Sequence, residues 1–419
     1  MNLPATAAML GGRIEELLAA RVDEGEAYFE REAGRLADLC HRMAERFARG
    51  GRLVAIGLSP AARSDVRHVT VEFVHPVIVG KRALPAIGLS REGGPLASQV
   101  DLVAEPDDIA IAFGPDEEGG DEVIAGLEVA RERGCLTLAF APAGAEWELV
   151  PDAEDPFVRQ ELAETAYHVL WELVHVFFDH RGLLEGREEK ATHDTGRSSF
   201  LYPFLSESES DLASVTADVR ASALLKATEV SELRSQTLSE GRDQLIAAAE
   251  TLRTCFEGGG KALALGNGGS ATDAMDLVAD LRYPPAGRGW PARRSIDLTE
   301  DTAIITAVGN DIGIEEIFQR QVIAYGRRGD VVVSLSTSGS SANMIEALAE
   351  ARRREMATVA FVGYDGGKIA ADGLADHVIV TRSQNIPRIQ EAQASAYHVL
   401  RELIETRPHR GPRPQTREP

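Results

Sequence analysis

The chain repeats itself. "VRQELAETAYHVLWEL" (158–173) aligns with "RIQEAQASAYHVLREL" (388–403), so Gln160 and His168 fall on Gln390 and His398 at an offset of 230. Upstream, "GGRLVAIG" (50–57) aligns with "GGKALALG" (259–266), "DDIAIAFG" (107–114) with "GDVVVSLS" (329–336), and "ARERGCLTLAF" with "ARRREMATVAF". Self-similarity on this scale makes each copy one structural unit, and the two copies must share a topology. Each reads as a long amphipathic helix, then short apolar runs alternating with helical periods, then a closing helix. Apolar runs between helices imply a parallel sheet covered on both faces. The fold class is therefore α/β, as two three-layer α/β/α sandwiches in tandem. We place the first copy at 1–180, a linker at 181–212, the second copy at 213–406 and a disordered tail at 407–419. The linker is charged and Ser/Gly-rich, and the tail lacks apolar residues.

The copies have diverged unequally. His68 aligns with Asp276 at an offset of 208, so the second copy carries about 22 more residues before its closing helix. Part of the excess surrounds "TAVGNDIG" (306–313), which has no counterpart in the first copy.

Two junctions in the second copy are rich in small donors: "LGNGGSATD" and "LSTSGSSAN", each after an apolar strand. Ligands of open α/β sheets bind beyond the carboxyl ends of strands. Glycine lets backbone N–H groups approach a phosphate, hydroxyls add donors, and the next helix offers its positive end. Such donors carry no formal charge, which suits a chain of net charge -22. That charge also argues against nucleic-acid and anionic-membrane surfaces, which need a basic footprint. The first copy has "GLSPAARSD" and "GPDEEGGD" at the two places, and Asp116, Glu117 and Glu118 would repel a phosphate there.

Metal-type residues recur at the aligned helices. His68 and Glu72 are four apart and share a helical face. Gln160 and His168 are eight apart, about 80° from a common face. Two imidazoles, a carboxylate and an amide oxygen suit Zn²⁺ or a similar ion. The second copy has Asp276, Asp280, Gln390 and His398 there. The competing reading makes His168 and His398 core residues of well-packed "AYHVL" helices.

Three separated cysteines, Cys40, Cys135 and Cys255, suggest neither a disulfide framework nor a metal motif, and a reducing cytoplasm is expected. The opening "MNLPATAAMLGGRIEEL" lacks a cationic signal-peptide start, and no apolar run reaches 18 residues.

In order, "GNGGSxxDAM", "VGND.G", "STSGxSxN" and "RIQExxxxxxH" resemble the sedoheptulose-7-phosphate (phosphoheptose) isomerase branch of the sugar-isomerase (SIS) domain family over about 215–405. The resemblance implies five-stranded parallel sheets and tetrameric isomerases with interfacial active sites. For this tandem chain it implies a homodimer forming a pseudo-tetramer. It assigns Asn267, Gly268, Ser270, Ser336, Thr337, Ser338, Ser341 and Gln390 to the sugar phosphate, with Asp311 near it. The family's His, Glu, Gln and His zinc ligands fall on Asp276, Asp280, Gln390 and His398, and the first two depart from the pattern. The acidic residue that precedes "RIQE" in the family is Pro387 here. In the first copy, His68, Glu72, Gln160 and His168 reproduce the four ligand types in order.

The expected reaction is aldose–ketose interconversion of a sugar phosphate with Zn²⁺ as cofactor. Asp280 or Glu72 would be the base, and His398 or His168 the acid. Two arrangements follow. Either the second copy is self-sufficient, or its loops hold the phosphate while first-copy side chains complete the site. A non-catalytic sugar-phosphate sensor or oligomeric adaptor is the alternative to an enzyme.

Overall fold

A computed structural model describes residues 3–78, 81–90, 93–179, 184 and 211–406. The expected tail and nearly all of the expected linker lie outside the described residues. The first half contains α1 (Leu3–Ala48), β1 (Leu53–Ile56), α2 (Pro60–Val74), β2 (Ala86–Leu89), α3 (Leu96–Val103), β3 (Ile109–Ala112), α4 (Gly120–Glu132), β4 (Leu136–Ala139), β5 (Trp147–Glu148) and α5 (Pro156–Asp179). The second contains α6 (Leu212–Glu240), α7 (Arg242–Glu257), β6 (Ala262–Gly266), α8 (Gly269–Arg282), β7 (Ser295–Asp297), α9 (Thr302–Asp311) and α10 (Ile317–Tyr325). It continues through β8 (Val331–Ser336), α11 (Ala342–Arg353), β9 (Ala357–Gly363), α12 (Gly367–Ala371), β10 (His377–Thr381) and α13 (Ile386–Glu405).

Each half forms a five-stranded sheet, ordered β2-β1-β3-β4-β5 and β10-β9-β8-β6-β7. Read from the other edge, the second order repeats the first strand for strand. All pairings are parallel. The central strands β1, β3, β6 and β8 are buried along their whole length, which is why they are unbroken apolar runs rather than alternating ones. In this order the direction of winding reverses between the first and third strands of each half. The crevice beyond their carboxyl ends is therefore the natural ligand site. In the second half the glycine and serine loops leave β6 and β8, one on each side of that crevice.

The two halves share their leading helices. Leu10, Ile14 and Leu17 from the start of α1 are buried in the core of the second half. Val215, Val219, Ala223 and Ala227 from the start of α6 are buried in the core of the first. The closing helix α13 is buried along its length from Pro387 to Ile404, although it carries Arg388, Glu391, Arg401 and Glu402. Buried charges of that number require partners, and the other half supplies them: Arg388 bonds to Glu172, and Arg13 to Glu402. The halves thus meet over a polar core, with α2 packed on α8 and α5 on α13. Among the described residues, no helix is long and apolar enough to cross a membrane.

Candidate functional site

Two buried clusters lie where the halves meet, and both draw on both halves. In the first, three groups converge on His68 Nε2. His168 Nε2 is 3.3 Å away, Gln390 Nε2 3.4 Å, and Glu72 Oε1 3.9 Å. His68, Glu72 and His168 come from the first half, as their spacing predicts; Gln390 comes from the second. In the other cluster, Asp276 Oδ2 is 3.2 Å from His398 Nε2, Asp280 Oδ2 is 3.5 Å from the same nitrogen, and Gln160 Nε2 donates to Asp276 Oδ1 at 2.9 Å. The two glutamines have therefore changed places relative to a grouping by copy. The reason is helical geometry. Eight residues rise roughly 12 Å along a helix, so α5 and α13 each point the histidine inward and reach across to the opposite half with the glutamine.

Each histidine is held from behind by a glutamate of the opposite closing helix. His168 Nδ1 lies 2.9 Å from Glu391 Oε1, and His398 Nδ1 lies 2.8 Å from Glu161 Oε1. A carboxylate on the far nitrogen fixes the ring and its proton, which leaves Nε2 directed at the cluster. The motif reading missed these glutamates. The signal was present, because Glu161 and Glu391 follow the two glutamines and are identical in both copies. It also missed Asp273 and Glu164, whose carboxylates lie 3.9 Å from His68 Nδ1.

The surroundings set the charge states. Burial pushes His68 well below its usual value, and His168 beside it lowers it further. Burial also takes His168 down to about 3, helped by Arg388. Burial raises Glu72 to about 8, with Glu172 and Glu391 adding to the effect. The first cluster is thus two neutral imidazoles with exposed lone pairs. Glu72 Oε2 and Gln390 Oε1 are buried beside them without hydrogen-bond partners. Rotating the Gln390 amide exchanges its oxygen and nitrogen about the same point. A tetrahedral zinc with bonds of about 2.0–2.1 Å separates its ligand atoms by roughly 3.3 Å, close to the spacings around His68 Nε2. The first cluster fits such an ion.

The second cluster differs. Burial alone would lower His398, but hydrogen bonds to Asp276 and Glu161 raise it to about 10. Asp276 is held below the usual carboxylate range by His398, Gln160 and Tyr397 against the opposing effect of burial, while burial and Asp276 push Asp280 well above it. A histidine raised on folding contributes stability that is complete below its unfolded value, near 6.5, and is lost as pH rises through about 10. Wild-type protein should therefore lose stability between pH 7 and pH 10 in urea titrations, and His398→Gln should lose much less over that interval. Parallel losses would contradict the assignment.

The glycine loop adjoins the first cluster. A Cβ at Gly269 would overlap the Gln390 amide nitrogen and approach His68 Nε2 to 3.0 Å. Gly268, at φ 58°, takes the left-handed turn into α8 that glycine allows, and neither α8 nor α11 has a side-chain N-cap. The N–H groups of Ser270 and Ala271 turn back to Asn267 O at 3.1 Å and Gly268 O at 2.9 Å, and that of Met344 to Ser341 O at 3.1 Å. Asn267 and Asn343 exchange hydrogen bonds of 3.0 and 2.9 Å and so tie the two loops together. Ser270 and Ser336 are buried, and Thr337, Ser338 and Ser341 are half-buried along the crevice. In the first half, Ser59 caps α2 through the Ala62 N–H at 3.0 Å, and Glu117 bonds to Ser59. Asp116, Glu117 and Glu118 line a cavity of about 350 Å³ with Asp280 and Gln160, so the crevice beside the second cluster is acidic. Asp311 is exposed at the end of α9, its carboxylate accepting from Asn310 at 2.8 Å.

A family model described as "SIS domain" matches residues 227–363. The chain is 42% identical over 179 residues to a phosphoheptose isomerase of Roseiflexus sp. (strain RS-1), covering 42% of this chain and 87% of that one. It is 45% identical over 166 residues to a phosphoheptose isomerase of Geotalea daltonii, covering 39% and 84%. Over nearly the whole chain the fold is like that of two solved structures. One is the C-terminal domain of glucosamine-fructose-6-phosphate aminotransferase from Francisella tularensis (TM-score 0.56, 9% identity, 93% of this chain and 94% of that). The other is tagatose-6-phosphate ketose/aldose isomerase from Escherichia coli (TM-score 0.54, 13% identity, 94% and 92%). The phosphoheptose isomerases match about two-fifths of this chain, and the two solved structures match 93% and 94% of it. The chain belongs to the SIS domain family.

Proposed function

We propose that the protein is an aldose–ketose isomerase of a sugar phosphate, with sedoheptulose 7-phosphate as substrate and one composite active site per chain. The contact of the Gly269 loop with His68 and Gln390 carries this reading. It sets the phosphate-type loops of the second half against the histidines and glutamate of the first. The relatives named phosphoheptose isomerase support the substrate class.

In this reading the phosphate occupies the uncapped starts of α8 and α11, held by the backbone N–H groups of Gly268 and Gly269 and hydroxyls of the 336–341 loop. Anchoring there fixes the far end of the open-chain sugar against α2. Glu72 takes the proton from the carbon next to the carbonyl and returns it to the former carbonyl carbon. The hydroxyl on the carbon that loses the proton gives its own proton up, and the former carbonyl oxygen gains one, in the same sense. A carboxyl raised to about 8 by burial is a stronger base than an ordinary one, as this step requires. His68, His168, Glu72 and Gln390 would hold Zn²⁺, which when bound supplies Lewis-acid polarisation of the carbonyl. Asp273 and Glu164 face His68 Nδ1 at 3.9 Å, and burial of the whole group excludes bulk water. The protein works in solution as a dimer of these two-domain chains.

Incubation with sedoheptulose 7-phosphate, followed by NMR, should show aldose anomeric signals growing in. Saturable binding of the sugar phosphate without turnover would replace the enzyme with a sensor.

A further inference from the structure

The second cluster occupies the position that the pseudo-symmetry of the chain gives to a second metal, yet its acceptor atoms are already engaged. Asp276 stands where the first half has His68. Its Oδ1 accepts from Ser64 Oγ at 3.0 Å and from Gln160 Nε2 at 2.9 Å. Its Oδ2 accepts from Tyr397 Oη at 2.8 Å and from His398 Nε2 at 3.2 Å. Three full donors, with Ser64 sharing its one proton between Asp276 and the Ala61 carbonyl, thus engage both oxygens of the carboxylate. Both nitrogens of His398 face carboxylates, Glu161 on one side and Asp276 with Asp280 on the other. An imidazole that donates from both nitrogens has no lone pair for an ion. Gln160 presents its amide nitrogen to Asp276, so it too acts as donor. Asp280 Oδ2 accepts no hydrogen bond, and one oxygen alone does not hold an ion.

The contrast with the first cluster is direct. There Glu72 Oε2 and Gln390 Oε1 are buried acceptors without donors, and two ring nitrogens face each other at 3.3 Å. One cluster lacks a positive centre, whereas the other supplies its own.

We infer that each chain binds one metal ion, at the His68 cluster, and that in the Asp276 cluster a hydrogen-bonded histidine–aspartate pair stands in place of a second ion. The pair ties together α2 and α5 of the first half with α8 and α13 of the second. The two halves therefore stay joined at this point whether or not metal is bound. The inference rests on the proposed reading of the His68 cluster as a metal site.

The test is metal content by mass spectrometry after dialysis of full-length protein against Zn²⁺ and then against buffer. Wild type should retain one equivalent. Asp276→Asn should also retain one, and His68→Ala should fall at least about tenfold at the same free metal. A fourth sample, the double variant Asp276→His with Asp280→Glu, should gain a second equivalent. Two equivalents in wild type would overturn the inference while leaving the proposed site intact, whereas loss of the single ion in Asp276→Asn but not in His68→Ala would overturn both. No retained metal in wild type would overturn both. Two equivalents in wild type overturn the inference even if a variant fails to fold.

Discussion

Replacing Gly269 by alanine is expected to lower isomerase turnover by about 100-fold or more while leaving the chain folded. The added methyl would overlap the Gln390 amide nitrogen and crowd His68 Nε2. Both side chains are buried, so the Gln390 amide must swing away from its place beside His68 to make room. A displacement near 1 Å at a reacting centre costs on the order of 100-fold. Alanine itself suits the first turn of α8, so the helix should survive. Steady-state kinetics beside circular dichroism and urea titration would check this. Wild-type kcat in a folded Gly269→Ala protein would mean that the loop and the histidines are not parts of one site.

The second large effect concerns stability. Glu161 lies at the junction of the halves and is almost wholly buried. It accepts two hydrogen bonds from Arg21 Nε at 3.1 and 3.0 Å and one from Arg21 Nη2 at 2.8 Å. It also faces His398 Nδ1 at 2.8 Å and accepts from Ser395 Oγ at 2.5 Å. These partners hold its carboxyl far below the usual range despite burial. Glu161→Gln keeps the volume but leaves Arg21 buried without its anion and His398 with only the carboxylates on its other side. Removing one partner of a buried pair costs about 3–5 kcal/mol. Urea unfolding should show a loss of that size, against a small change for Glu16→Gln, whose pair with Arg13 is exposed. A loss below about 1 kcal/mol for Glu161→Gln would show that the junction does not depend on this ion network.

Much of this was legible in the sequence because the chain writes its fold twice. The aligned apolar runs identified the central strands, and the repeat required one topology for both halves. The shorter edge strands were not legible. β2, β5 and β7 are two to four residues long and partly exposed, so they lack the apolar run that marks a central strand. His68 with Glu72, and the loops after β6 and β8, are local features fixed by helical period and strand order, and they lie where spacing put them. The pairing of each glutamine with the other half's carboxylate or histidine is set by how α5 packs on α13, which no local pattern encodes. Glu161 and Glu391 could have been found from their identity in both copies. Asp311 belongs to a segment without a counterpart in the first copy, and it is exposed at the end of α9.

The unequal losses along the chain also become intelligible. The first copy kept metal-type residues and lost the phosphate-type loops; the second did the reverse. Because the clusters cross between halves, the retained parts fall together beside Gly269 and the lost parts fall together beside Asp280. With the proposed composite site, one of two ancestral-type sites is kept whole and the other has become structure.

Comparison of Glu72→Gln with Asp280→Asn on sedoheptulose 7-phosphate tests that claim most directly. A shared site predicts that Glu72→Gln loses about 10²–10⁴ in kcat, the usual contribution of a general base, while Asp280→Asn stays near wild type per folded molecule. The reverse pattern, with Asp280→Asn inactive and Glu72→Gln active, would place the chemistry within the second half alone and contradict the account.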